Sequence, residues 1–407
     1  MKKNIFCLAP FYHSHVDSAG DNRLCCLARN DLVEEEYLND LKLDPIIFWN
    51  SDYIKNRRKQ MLENKAPREC INCVNPNQIK ITKDEVYGNL FQESFEKDSS
   101  FLNSDYSVKS TPSSIDYRTA ICNLKCLMCD PSSSTSMNIH FKKNSEELKK
   151  LFNSDFYNEN LMEKSHRTFQ ALEEFLQKGS VKYVYFAGGE PTMTQNHLGL
   201  LDQLLFQKTP LELLVYNTNL MATSDFVRKW KEKLLKFKYV GLMPSIDAVG
   251  ELGEYLRMGF KQKNFDENLS ILQEGNAPNI DITLDVTITS LGVFKLEDLA
   301  RYAIEKKLKI RGRTTLDSIA SFTSLGLLEI GIRKKLVQKF ENFYSGLSIE
   351  EKKLVEQLKE ALRLVLLVPD FSREELRKAD ETIQVYKKMY PEYPGYDEYL
   401  VKLKREI

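Results

Sequence analysis

The chain has 407 residues, with 58 basic and 58 acidic side chains and a formal net charge of zero. That balance offers no field to attract nucleic acid or an anionic membrane, and no apolar run reaches the length of a membrane span. The start, Met1-Lys2-Lys3-Asn4-Ile5-Phe6-Cys7, lacks the apolar core and cleavage site of a secretory signal, so a cytoplasmic location is expected. In that compartment the 8 cysteines point to metal ligands rather than disulfides, and all of them lie before residue 130.

In chain order, residues 1–75 carry Cys7, Cys25, Cys26, Cys70 and Cys73. Residues 76–112 are rich in Ser, Asn and Lys with little periodicity, and read as a linker. Residues 113–316 alternate strands and helices. A strand at Ser114–Thr119 leads into a cysteine loop. Phe169, Leu172 and Phe175 mark a helix, and Val181–Phe186 reads as a strand ending in Ala187-Gly188-Gly189-Glu190-Pro191. Leu198–Phe206 reads as a helix and Leu211–Asn217 as a strand. Phe226, Trp230 and Leu234 give a helix face, Tyr239–Ile246 a strand, Phe265–Gln273 a helix and Ile280–Ile288 a strand. Leu296, Leu299, Ala300, Ala303 and Ile304 form a helical stripe before a last strand near Leu308–Arg311. Such alternation predicts an α/β fold with a parallel sheet and right-handed crossovers. Residues 317–407 read as a helical extension. Ser348 with Glu351, and Ser372 with Glu375, match capping boxes, and Leu354, Leu358, Ala361, Leu362 and Val365 form an apolar stripe.

The densest chemistry is the run Cys122-Asn123-Leu124-Lys125-Cys126-Leu127-Met128-Cys129. Three thiolates spaced C-x3-C-x2-C suit a loop around one side of an iron–sulfur cubane, whose four irons normally take four ligands. Three ligands leave one iron open to bind and activate a ligand. A structural zinc site, or scattered core cysteines, is the competing explanation.

The run resembles the signature of the radical S-adenosylmethionine (SAM) superfamily, although Met128 stands where that family usually has an aromatic residue. The resemblance implies a partial (βα)6 barrel over 113–316, with its chemistry on the loops after the strand C-termini. It implies a 4Fe–4S cluster on Cys122, Cys126 and Cys129 that holds SAM and cleaves it to a 5′-deoxyadenosyl radical. Gly188 and Gly189 then allow close approach to SAM. Glu190 offers a carboxylate to its ammonium, Asn219 and Ser245 lie near its ribose, and Arg257 pairs with its carboxylate. Met128 contacts the adenine. Asn219 and Ser245 also fit ordinary turn capping, and Arg257 a solvated helix charge. Asp247 is a candidate proton acceptor as well as a candidate turn cap.

The N-terminal cysteines and their flanks, Cys7-Leu8-Ala9-Pro10, Phe48-Trp49-Asn50-Ser51, Arg57–Met61 and Cys70-Ile71-Asn72-Cys73, resemble an auxiliary-cluster (twitch, or half-SPASM) domain placed before the barrel. The resemblance implies a second 4Fe–4S cluster on Cys7, Cys25, Cys70 and Cys73. Cys25 and Cys26 cannot both face it from a strand, and Cys25 is the choice. A four-cysteine zinc site competes here too.

A cluster with four cysteine ligands has no open iron, so its expected role is to accept an electron. The expectation is therefore a radical SAM oxidoreductase that dehydrogenates a small-molecule or peptide substrate. An external flavodoxin- or ferredoxin-type donor is implied, and neither nucleic acid nor membrane is expected as a partner. The alternatives are a peptide- or protein-modifying enzyme that forms a crosslink, and a non-catalytic redox-sensing or accessory protein. Fold alone does not choose among them. His13, His15, His140, His166 and His197 form no metal-spaced pair on a predicted helix, and His13 and His15 share a face if extended. Arg311 and Arg313 are candidate anion binders or solvated charges.

Overall fold

The computed structural model describes residues 7–74, 91–93, 95, 96, 100–144, 146, 149, 160–179, 181–314 and 321–406. Its strands are β1 (His13–Val16), β2 (Asn22–Arg23), β3 (Ser114–Thr119), β4 (Lys125–Cys126), β5 (Tyr183–Gly188), β6 (Leu213–Thr218), β7 (Val240–Pro244), β8 (Arg257–Met258), β9 (Ile280–Ile288) and β10 (Lys309–Thr314). Helices follow β3, β5, β6, β7, β9 and β10 in turn, so the alternation expected between residues 113 and 316 is present. The fold is mixed α/β with mostly parallel strands. The chain divides into two compact units: Met1–Ala120, Asn160–Val215 and Lys233–Val240 form the first, and Ile121–Glu159, Tyr216–Glu232 and Gly241–Ile407 the second. Among the described residues no helix is long and apolar enough to cross a membrane.

In the first unit the strand order is β2-β1-β3-β5. β1 and β3 are parallel, as are β3 and β5, while β2 runs antiparallel to β1. Alternation along β3 separates two rows. Ile115 and Tyr117 are fully buried on one face, and Ser114, Asp116 and Arg118 stand on the other. Helix Leu161–Lys178 packs on β3 with Ser165, Thr168, Leu172 and Phe175 buried at helical spacing. An N-terminal core gathers Phe11, Phe48, Tyr53, Ile54 and Met61. Phe91, within the stretch read as a linker, is buried and stacks on Tyr12 with ring centroids 4.8 Å apart.

In the second unit β10 lies parallel to β9, and Gly241–Pro244 of β7 lies on the other side of β9. Helix Ile349–Leu367 covers β10 with Val355, Leu358, Ala361, Leu362 and Val365 buried. Val355 takes the core place expected of Leu354, which is half-buried. Close packing is possible because Gly312 lacks a side chain: a Cβ there would sit 3.0 Å from the Ala361 Cβ. Both capping boxes are formed, Ser348 with Glu351 and Ser372 with Glu375. In helix Ser224–Leu234 Val227 and Trp230 are buried and Phe226 is only half-buried; Trp230 meets Tyr216 edge-on at 5.0 Å.

Candidate metal and cofactor sites

The second unit holds the cysteine loop. Cys122 and Cys126 are buried and Cys129 is half-buried. The start of helix Thr135–Lys143 fixes the loop. The Ser134 hydroxyl donates to the Leu124 carbonyl at 2.6 Å and accepts from the Met137 amide at 3.2 Å. The Ser136 hydroxyl donates to the Cys122 carbonyl at 2.8 Å. Cys126 lies on β4, opposite Arg257 in the antiparallel β4–β8 pair. The Leu127 amide donates to the Leu256 carbonyl at 2.8 Å, and the Cys129 amide closes a turn onto the Cys126 carbonyl at 3.0 Å. Gly259 has φ +100°, and a Cβ there would lie 3.1 Å from Leu124 Cδ2.

The thiols act on one another. Burial pushes the Cys129 thiol well up, and the neighbouring Cys126 and Cys122 push it further. Burial pushes Cys126 up to about 11, opposed by the Arg257 guanidinium. The Cys126 and Cys129 thiols, which burial keeps from ionising, are donors whose thiolates a cationic metal group would stabilise, and thiolates are the usual ligands of iron–sulfur clusters. The loop's chemistry therefore fits the cluster its spacing implies.

Around the loop, Asn219 follows β6. Its amide donates to Asn123 Oδ1 at 2.9 Å and lies 3.8 Å from Cys122 Sγ, while its oxygen accepts from the Met221 amide. The Ser245 amide donates to the Thr218 carbonyl at 2.8 Å. Arg257 Nε stands 2.7 Å from Asp247 Oδ2, and Asp247 Oδ1 accepts from the Thr287 amide at 2.7 Å. Asp247 is thus a fully buried anchor of Arg257. That pairing was not legible in a sequence reading that gave the two residues separate roles. Met128 is half-buried. Arg311 and Arg313, candidate anion binders, both reach Asp285, at 2.8 and 2.9 Å, and Asn217 donates to the same carboxylate.

The Gly-Gly-Glu turn and the second cysteine group lie in the first unit. Gly188 ends β5 with φ +97°, and a Cβ there would meet the Thr119 carbonyl oxygen at 2.3 Å. The Gly189 amide donates to that same oxygen. Only glycine allows this approach. Glu190 is fully buried, and its Oε1 accepts from the Thr192 amide at 3.2 Å and hydroxyl at 2.5 Å.

Cys7, Cys25 and Cys70 meet at the N-terminal core. Burial raises the Cys25 thiol, and Cys26, Cys7 and Cys73 raise it further; burial, Cys25, Glu69, Cys7 and Cys73 do the same to Cys70. Cys26 is near enough to Arg118 to favour its charge. The Asn72 amide donates to the Leu27 carbonyl at 3.0 Å, and the Arg29 amide to the Glu69 carbonyl at 3.1 Å, tying the two cysteine segments together. Glu69 is itself fully buried, accepting from Tyr53 Oη at 2.8 Å and Arg57 Nε at 2.6 Å. Arg57 lies over the Tyr53 ring at 4.5 Å. No periodicity marks this Arg57–Glu69 brace. Cys7 and Cys73 thus both oppose ionisation of the buried Cys25 and Cys70 thiols, and thiols gathered from three segments are a donor set whose chemistry fits a metal group.

No protein-family model matches the chain, and no curated protein matches it. Among solved structures, SuiB of Streptococcus suis bound to S-adenosylmethionine is similar at 14% identity over 65% of this chain and 60% of that chain, with a TM-score of 0.37. A second crystal structure of SuiB gives 14% identity over 77% and 63%, also at 0.37. TYW1 with a lysine–pyruvate adduct bound gives 16% identity over 54% and 70%, at 0.29. The chain spans less than two thirds of the length of SuiB. Likeness at this level fixes neither family nor activity.

Proposed function

We propose that this chain is a radical SAM oxidoreductase on a partial (βα)6 barrel, with Cys122, Cys126 and Cys129 as the ligands of a SAM-binding 4Fe–4S cluster. The observation that carries the reading is the C-x3-C-x2-C loop itself: its thiols lie close enough that Cys126 and Cys122 both oppose ionisation of Cys129, with Arg257 beside Cys126. When bound, such a cluster supplies the electron that cleaves SAM to a 5′-deoxyadenosyl radical. The chain's own residues hold and orient. Ser134 and Ser136 pin the loop backbone. Arg257, fixed by Asp247, places a permanent positive charge against Cys126 and favours its thiolate. By the family pattern, Gly188, Gly189 and Glu190 are assigned to the SAM amino end, and Asn219 and Ser245 to its ribose. Arg257 then serves the SAM carboxylate with the guanidinium nitrogens that Asp247 leaves.

The N-terminal group is proposed as a twitch-type auxiliary site in which Cys7, Cys25, Cys70 and Cys73 would hold a 4Fe–4S cluster, and such a cluster would supply an acceptor for a second electron. With that acceptor the reading is a dehydrogenation of a small molecule or peptide with a flavodoxin- or ferredoxin-type protein as donor, and a peptide- or protein-modifying enzyme that forms a crosslink is the alternative. The test is anaerobic iron and sulfide loading followed by product analysis. Reductant-dependent 5′-deoxyadenosine is expected from the parent and not from Cys126→Ala. Equal SAM cleavage by both would sink the proposal.

A further inference from the structure

Strand β1 places two histidines where a core would normally put apolar side chains. His13 and His15 are 5% and 1% exposed, and as residues i and i+2 of a strand they share one face. The parallel pairing of β1 with β3 sets His13 against Ser114 and His15 against Asp116, itself 2% exposed. The two imidazole rings are 6.3 Å apart, and one ligand-type atom from each of His13, His15 and Asp116 lies within 4.8 Å of the other two.

The three side chains turn ligand-type atoms toward one another inside a buried polar cluster. His15 Nδ1 stands 3.0 Å from Asp116 Oδ2, a fully buried contact between an imidazole and a carboxylate. Two donors that share a tetrahedral ion at about 2.1 Å stand about 3.4 Å apart, so the 3.0 Å contact has to open by only a few tenths of an ångström to admit one. Outer groups orient the set, as they do in known metal sites. The Ser114 hydroxyl lies 2.9 Å from His13 Nδ1, and the Arg118 guanidinium reaches both Asp116 oxygens at 3.3 Å. Two buried imidazoles and a carboxylate are costly in an interior unless they are paired or coordinate a metal.

We propose that His13, His15 and Asp116 bind a single divalent transition-metal ion of the zinc or ferrous class. Two imidazoles and one carboxylate suit such an ion better than magnesium, which prefers all-oxygen sites, or copper(I), which prefers sulfur. Three protein ligands leave at least one coordination position open. Arg118 already balances the Asp116 charge, so the bound ion keeps its positive charge and favours an anionic oxygen donor at that position. Nothing in this site depends on the SAM-cleaving reading of the cysteine loop.

Zinc is the probe. The full chain, its cysteines first engaged by anaerobic iron and sulfide loading, is incubated with zinc, desalted and assayed for zinc by mass spectrometry and zinc-edge X-ray absorption. The proposal expects about one zinc per chain with a nitrogen and oxygen shell at roughly 2.0–2.1 Å. His15→Gln and Asp116→Asn, whose folding is checked by thermal melting, are expected to lose it. Ser114→Ala, which keeps all three ligands, is expected to weaken zinc binding about 10- to 100-fold. Zinc held through sulfur at about 2.3 Å, zinc retained in folded His15→Gln, or no zinc retained by the parent would each overturn the site. If the ligand variants do not fold, the parent's zinc count and shell decide alone.

Discussion

Arg257 Nε lies 2.7 Å from Asp247 Oδ2, and the same arginine stands opposite Cys126 in the β4–β8 pair. One buried cation therefore serves both the Asp247 carboxylate and the Cys126 thiol. The Asp247 charge keeps Arg257 protonated against burial, and Arg257 in turn draws the Cys126 thiol down from where burial alone would put it. Local fold and ligand chemistry are coupled through this one side chain.

Breaking the pair is expected to be costly. Asp247→Ala leaves an uncompensated buried guanidinium, and the loss of one partner of a buried pair costs about 3–5 kcal/mol. The melting temperature of the cluster-free protein should fall clearly. A melt within a degree of the parent would show that the pair does not stabilise the fold.

Gly188→Ala tests the backbone approach at the end of β5. With φ at +97° and the Thr119 oxygen 2.3 Å from the new Cβ, the strand end must shift. The loss should exceed the roughly 1 kcal/mol of an ordinary glycine-to-alanine mismatch. Equal denaturant midpoints for parent and variant would contradict the close approach.

The cluster-free protein should lose stability above about pH 9. The folded Cys126 thiol ionises only near 11, whereas in the unfolded chain it ionises near its ordinary value. Below the unfolded value both states are neutral and nothing is lost. Between the two values the unfolded chain sheds a proton that the fold retains, so stability falls as pH rises, by on the order of 2 kcal/mol from this thiol. Cys126→Ser should flatten that part of the profile. A profile that rises through pH 9–11 would contradict the assignment.

Much of this was legible in sequence, because it is local. Helix and strand alternation, the two capping boxes and the cysteine loop all follow from residues within a turn or two of one another. What was not legible depends on partners far apart in the chain. The pairing of His15 with Asp116 needs β1 beside β3 across about a hundred residues, and Arg57 with Glu69 needs a helix folded over the Cys70 turn. Strands β4 and β8, two residues each, are too short for any period, yet they set Cys126 opposite Arg257. Val227 and Val355 replaced Phe226 and Leu354 at core positions, since adjacent apolar residues on a helix leave its exact facing open.

Cys25 and Cys26 lie on a bend and a turn beyond β2 rather than on a strand, so strand alternation does not separate them and substitution must. With Cys122, Cys126 and Cys129 all changed to Ala, anaerobic loading should still yield iron and sulfide for one 4Fe–4S cluster per chain. Adding Cys25→Ala should abolish it, because Cys25 shares its surroundings with Cys7 and Cys73. Adding Cys26→Ala should leave it intact. The reverse pattern would exchange the two assignments, and zinc in place of iron would make the site a structural staple.

Whether Cys122, Cys126 and Cys129 support SAM cleavage is read most directly from the 5′-deoxyadenosine released by the anaerobically loaded, reduced protein. Formation is expected from the parent and none from Cys122→Ala, Cys126→Ala or Cys129→Ala, with weakened SAM affinity but a retained cluster in Glu190→Gln. A parent carrying a full complement of iron and sulfide that releases no 5′-deoxyadenosine, or any single loop-cysteine variant that releases as much as the parent, would contradict that role.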